Sequence, residues 1–200
     1  LTWPASKKAT GSAGVYFDGN GDKLTGGTSP VLGTGDFAID FWCWPSSTQL
    51  TSGSVAYVFD GRADGSNIQS LSIQLVKASL QLAIYDHVAS SWVIDNASHT
   101  GLAADTWNHV QLNRSSGTLK LYIDGVASSN TDTTNSNLSE ADGFIIGTDY
   151  SGGNPFTGYI DNFRISVGTA RETSNFSSSL PTRAYGAYGS ETPDVGTITL

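Results

Sequence analysis

This 200-residue chain predicts an all-β fold, two antiparallel sheets packed face to face. Three observations carry that expectation. Short runs alternate apolar and polar residues along most of the chain. No window sustains the 3.6-residue apolar period of a helix. The composition is rich in Gly, Ser, Thr and Asn, holds no Met, and sets three Glu against fifteen Asp, which suits strands joined by turns.

The strands follow in order from their alternation. Val15 and Phe17 share a face. Phe37, Ile39, Phe41 and Cys43 form the next stripe, with Asp40, Trp42 and Trp44 opposite. Val55, Tyr57 and Phe59 make a short run. Leu71, Ile73 and Leu75 lead through Lys77-Ala78-Ser79 into Leu80, Leu82 and Ile84, a hairpin. Val110 and Leu112 pass through Ser115-Ser116-Gly117 to Leu119, Leu121 and Ile123, and the glycine supplies φ > 0 at the tip. Phe144 and Ile146 add a short strand. In Gly158–Ser166, Phe163 and Ile165 share a face, but Ile160 is out of phase with them. One extra residue at Asp161-Asn162 restores a common core, which is the mark of a β-bulge. Segments 46–54, 127–142 and 177–200 read as loops or tail. Strands with no helices between them imply a jelly-roll-like sandwich.

Composition also excludes partners. The formal charge is −8, acids outnumber bases 18 to 10, and Lys and Arg are scattered singly apart from Lys7-Lys8, so no footprint for nucleic acid exists. No apolar run is long enough to cross a bilayer. Cys43, alone and inside an apolar alternation, is expected as a buried, inert thiol. The chain opens at Leu1 with neither an initiator Met nor a secretory signal pattern, and is expected to be an excised or processed piece. Sequons at Asn96, Asn113, Asn137 and Asn175 are no more than chance supplies in a chain this rich in Asn and Ser.

Five strings, in order, carry a resemblance: Val15-Tyr16-Phe17-Asp18-Gly19, Gly35-Asp36-Phe37-Ala38-Ile39-Asp40-Phe41-Trp42, Thr106-Trp107-Asn108-His109-Val110, Leu119-Lys120-Leu121-Tyr122-Ile123-Asp124-Gly125-Val126, and Gly158–Ser166. Together they resemble the laminin G-like jelly-roll domains of the concanavalin A-like lectin/glucanase superfamily. The ending Gly168–Phe176 is similar to the variant found in bacteriophage tail and virion proteins and in large bacterial surface proteins. The likeness covers about residues 14–181, which leaves 1–13 as a lead-in and 182–200 as a tail or linker. It implies a calcium ion that stabilises the sandwich, with Asp161 as its side-chain ligand. Asp18, or carbonyls near Gly19, would complete the shell of six to eight oxygens. It also implies a structural role for His109.

Catalytic and other metal chemistry finds little support. Asp18-Gly19-Asn20-Gly21-Asp22 starts like an EF-hand, but Lys23 and Ser29 occupy its required Gly and Glu positions. The paired-carboxylate motifs of hydrolases in this superfamily are absent, and Glu140, Glu172 and Glu191 fall in loop-like or tail segments. There is no Gly-x-Ser-x-Gly elbow, and His87 and His99 lack zinc-ligand spacing. Aromatic residues on rim loops are the best binding candidates, because sugar rings stack on them while Asp and Asn bind hydroxyls. Trp92, Tyr150 and Asp149 are the chosen set; Trp42 and Trp107 are expected to cover the sandwich.

The expected function is a non-catalytic, lectin-like module of a phage virion or tail-associated protein that binds surface glycans. The alternative is a structural decoration or assembly domain whose partner is another virion protein. A glycoside hydrolase is the remote third. The expected location is a virion or an extracellular surface.

Overall fold

The computed structural model describes residues 8–10, 14–27, 30–50, 54–65, 68–95, 98–139, 142–182 and 198–199. Most of the lead-in and tail, Asn96 and Glu140 lie outside the described residues. In chain order the strands are β1 (Val15–Asp18), β2 (Leu24–Gly26), β3 (Phe37–Pro45), β4 (Val55–Asp60), β5 (Leu71–Val76), β6 (Gln81–Asp86), β7 (Ser91–Ile94), β8 (Asn108–Ser115), β9 (Thr118–Ile123), β10 (Val126–Thr133), β11 (Phe144–Ile146), β12 (Thr157–Val167) and β13 (Ile198–Thr199). One sheet runs β1-β12-β3-β8-β9-β10, with β13 also paired to β12; the other runs β2-β11-β4-β5-β6-β7. Every pairing between these strands is antiparallel. The predicted two-sheet sandwich is the observed fold.

Four strands fall where alternation gave no signal. β10, apart from Val126, lies inside the expected 127–142 loop, and β13 inside the expected tail. β10 is the edge of its sheet and mostly exposed, so water accepts its Ser, Asn, Thr and Asp residues on both faces and no period of two develops. β2 and β7 are too short to show one. A turn of 3₁₀ helix, Ser47–Gln49, occupies part of the expected 46–54 loop, capped by the Ser46 hydroxyl, which accepts from the Thr48 N–H.

The turns fix the register of the β8-β9-β10 meander. Ser116-Gly117 and Asp124-Gly125 each have two positive φ angles (48° and 80°; 48° and 73°), the two-residue geometry that matches strand twist.

The break in alternation at Asp161 is a bulge. Asp161 pairs with Trp42 and Arg164 with Asp40, so Asn162 and Phe163 together oppose Phe41. Asn162 takes φ 54°, a conformation Asn tolerates better than most residues. The extra residue turns Phe163 inward. Its ring stacks on Phe41 at 5.3 Å and on Phe59 of the opposite sheet at 5.7 Å, joining both layers. Around them Ile39, Val110, Leu112, Leu121, Ile73, Leu82 and Ile84 are fully buried. Cys43 is fully buried among them, and burial pushes its thiol well above the usual range.

Half of the first sheet's outer face is also buried. Beyond β12 the chain crosses it as a strap: the Arg171 guanidinium donates to the Ser166 hydroxyl, and the Glu172 carbonyl accepts from the Gln111 and Asn113 amides. Phe176 packs on His109 and Tyr122, and Asn175 accepts from the Ala127 N–H. On the same face Arg164 forms a two-armed pair with Asp40, 3.1 Å on each side, with Asp40 wholly out of solvent. Removing one partner of such a pair strands a buried charge. Asp40→Ala should therefore cost roughly 3–5 kcal/mol in chemical denaturation, and a loss under about 1 kcal/mol would refute this role.

Candidate functional site

The outer face of the second sheet gathers the densest set of polar and aromatic side chains. Register places Asp60, Ser72, Tyr85 and Trp92 in one row across β4, β5, β6 and β7, with Tyr57, Gln74 and Ala83 in the next row. Strand alternation explains why: in Leu71-Ser72-Ile73-Gln74-Leu75 the three apolar residues enter the core, so Ser72 and Gln74 face outward. Trp92 meets Tyr85 edge-on at 4.9 Å, and Tyr85 meets His87 in the same manner at 4.9 Å. The His87 ring and the Gln74 amide both reach the Ser72 hydroxyl, at 3.2 and 3.0 Å.

The other end of the row is built on Asp60. Its carboxylate accepts two side-chain bonds from Arg62, at 2.8 and 2.7 Å, and backbone bonds from Arg62 and Tyr150. Arg62 in turn lies 4.5 Å from the centre of the Tyr150 ring, a cation–π stack, and bonds the Tyr57 hydroxyl. Burial works against the Arg62 charge, but the bond and charge of Asp60 outweigh it and raise its pKa. Trp92 and Tyr150 are 51% and 38% exposed, so the face presents an open ring at each end. Three inter-strand spacings, about 14 Å, separate Asp60 from Trp92 along the row.

The expected binding residues therefore divide. Trp92 and Tyr150 share this face. Asp149 sits beneath it as the organiser of the Tyr150 loop. Its carboxylate accepts from the Ser151 N–H and hydroxyl, the Gly153 N–H and the Asn154 amide. Four bonds match the acceptor capacity of a carboxylate. Burial alone would raise the Asp149 pKa, but the bonds from Ser151, Asn154 and Gly153 prevail and hold it below the ordinary value. Asp60, Arg62, Ser72 and Gln74 were not singled out by sequence; His87 was considered only as a zinc ligand. The outward polar positions of β5 were the available signal, whereas the Asp60–Arg62–Tyr150 junction depends on a contact 90 residues apart.

The two carboxylates expected to share calcium do not converge. Asp18 pairs with Thr157, four residues from Asp161 along β12 and thus about 13 Å away. Asp161 Oδ2 accepts N–H bonds from Ala9 and Thr10, both 2.9 Å, so donors already face the group that would ligate a cation. Asp18 Oδ1 accepts from the Asn20 N–H at 2.7 Å, in the tight turn that Gly19 (φ 81°) permits. Among the described residues no three His, Cys, Asp or Glu side chains are grouped to hold a metal. Asp161 and Asp18 do not fit a common calcium shell; Asp161 instead latches the lead-in onto the sheet.

Comparison with known proteins follows the same lines. A laminin G-type family model, described as the concanavalin A-like lectin/glucanases superfamily, matches residues 18–173. Among solved structures the chain is similar to domain 4 of AbnA, an extracellular GH43 arabinanase from Geobacillus stearothermophilus, in complex with arabinotriose. That match has 21% identity and a TM-score of 0.56, covering 84% of this chain and 76% of that one. It is also similar to domains LG4-5 of the mouse laminin alpha1 chain (12% identity, TM-score 0.55, 81% and 44% covered). A third similarity is to the binding domain of botulinum neurotoxin serotype D (17% identity, TM-score 0.59, 82% and 41% covered). The chain thus spans under half of the laminin and neurotoxin chains, and at these identities the likeness is one of fold. No curated protein matches its sequence.

Two expectations follow from the geometry. His87 and His109 are held neutral: burial, then the charges of Arg62 and Arg164 respectively, lowers each from 6.5 to about 4. Between pH 6.5 and 4 the unfolded chain binds more protons than the fold, so stability falls as pH falls through that window. The melting temperature should drop there, and the drop should shrink in a folded His87→Gln variant; an unchanged slope would exclude His87. A chelator should leave the melting temperature unchanged, while Asp161→Ala lowers it by freeing residues 9 and 10. A drop on chelation that Asp161→Ala abolishes would restore the calcium reading.

Proposed function

The chain belongs to the concanavalin A-like lectin/glucanase superfamily, and from that premise we propose that it is a non-catalytic, lectin-like module that binds surface glycans on the outer face of its second sheet. The observation that carries this reading is the row from Tyr150 through Asp60, Ser72 and Tyr85 to Trp92. Exposed rings stand at its two ends, and between them the half-buried Tyr85 lies over the buried Asp60 and Ser72. An aromatic ring stacks on the apolar face of a sugar, and the half-buried Tyr57 and Tyr85 hydroxyls can meet its hydroxyls. About 14 Å of row suits a short oligosaccharide better than one ring. The arabinanase domain of similar fold was solved with arabinotriose, which supports a glycan as the ligand class.

The carboxylates beside the face favour binding over cleavage. Glycoside hydrolysis needs one carboxyl group to give a proton and a second to act as base or nucleophile. Asp60 is neutralised by Arg62, and Asp149 is held by its own loop. Display on a virion or another extracellular surface is part of the proposal, on the resemblance of the 168–176 ending to phage tail and virion modules.

A glycan array tests the reading. Specific hits are expected, with Trp92→Ala and Tyr150→Ala each weakening binding about tenfold, in keeping with the 0.5–1.5 kcal/mol of an aromatic contact. A blank array would reject glycan binding and favour an assembly role on a virion.

A further inference from the structure

The outer face of the first sheet carries a second aromatic row that the site above does not use. Tyr16 on β1 pairs with Tyr159 on β12, and Tyr159 pairs with Trp44 on β3. Trp107 immediately precedes the Asn108–Cys43 pair, so it continues the row onto β8. Four aromatic residues thus stand side by side across four adjacent strands. Tyr159 is the hub: its ring centre lies 4.8 Å from Tyr16, 5.5 Å from Trp44 and 6.3 Å from Trp107. All four side chains are half-buried. The row also has a backbone requirement. At Gly158 (φ 144°) an added Cβ would come within 2.1 Å of the Trp44 carbonyl oxygen, so only glycine lets β12 lie this close to β3.

We propose that this row is a second binding surface, one that takes an extended neutral polysaccharide. Its rings gather around Tyr159, with the Tyr16 and Trp107 centres no more than about 11 Å apart, a surface for a short run of adjacent sugar units. Its charge selects the ligand. The carboxylates of Asp18, beside Tyr16, of Asp105, two residues before Trp107, and of Asp161, two residues after Tyr159, flank the row. With a chain charge of −8 they repel sulfated or sialylated glycans and anionic lipid headgroups; Asp161 is taken up by the Ala9 and Thr10 N–H groups, and a sugar hydroxyl can donate to the exposed Asp18 carboxylate. The strap from 168 to 176 bonds to the other half of this sheet, at Ser166, Gln111, Asn113, His109 and Tyr122. The two faces differ in kind. The second sheet sets the half-buried Arg62 and the Tyr57 and Tyr85 hydroxyls among its rings, while the first presents rings and binds by stacking.

Native gels cast with soluble neutral polysaccharides (hydroxyethyl cellulose, xylan, arabinan and a β-1,3-glucan) test this. At least one should retard the protein. Trp44→Ala and Tyr16→Ala should weaken that retardation about tenfold, while Val126→Ala, exposed on the edge strand β10, leaves it unchanged. Tyr16 lies at the end of the sheet path and serves if Trp44→Ala does not fold. In the wild-type protein the retarding polysaccharide should protect Trp44 and Trp107 from oxidative labelling read by mass spectrometry. The proposal is overturned if no neutral polysaccharide retards the protein, if only anionic ones do, or if folded row variants bind like wild type. Loss on Trp92→Ala alone would leave the second-sheet site standing and this one refuted. A sedimentation shift from dimer to monomer in Tyr16→Ala, without a change in retardation, would make the row a self-association surface and likewise overturn it.

Discussion

One extra residue in β12 sets the plan of the molecule. Because Asn162 and Phe163 share the space opposite Phe41, the strand changes phase in its middle. Ile160 and Phe163 then both point inward, while Tyr159, Asp161 and Arg164 all reach the outer face. The bulge divides that face. On one side Tyr159 anchors the aromatic row. On the other Arg164 meets Asp40, and the strap bonds Ser166, Gln111 and Asn113 on the same half. Without the insertion a regular strand could not serve the core and both outer regions, since a one-residue slip exchanges the faces.

Each sheet also carries an Asp–Arg pair with both partners largely out of water, Asp40–Arg164 on the first and Asp60–Arg62 on the second. Such pairs recover little net stability, since desolvation offsets most of the attraction. Their value here is geometric. Asp60 accepts from both Arg62 and the Tyr150 backbone, so one carboxylate fixes the cation under the Tyr150 ring and the loop that carries it. Asp40 holds Arg164 across the β3–β12 pair, 3.1 Å on each side. Each pair also compensates its own charge within the sheet.

Much of the core was legible in the chain. The stripe from Phe37 to Cys43, the two hairpins and the phase break at Asp161 follow from side chains that alternate because one face is buried. Trp92 and Tyr150 could be picked as exposed rings for the same reason, being aromatic residues in turn-rich stretches. What alternation cannot report is which strands lie side by side. Tyr16, Trp44, Trp107 and Tyr159 are scattered over 143 positions of sequence and meet only through the order β1-β12-β3-β8. Trp107, expected to cover the sandwich, lies half-buried at the end of that row. β10 escaped notice for the converse reason: at an exposed edge the side chains obey no pattern, and only backbone bonds define the strand.

The place of β12 between β1 and β3 bears on how the chain is made. A ribosome delivers β1 and β3 early, but the strand that separates them is completed only at residue 167. Until then β1 lacks its sheet partner and one edge of β3 stands open, and the Asp40 carboxylate waits for Arg164. The first sheet therefore closes only when most of the domain has emerged, through contacts of very long sequence separation, a topology that folds slowly. During that interval the open edge of β3, lined by Phe37, Ile39 and Phe41, is the segment most prone to pair with a neighbouring nascent chain. The heaviest demand on a cell that produces this protein is thus protection of one unfinished strand edge during synthesis.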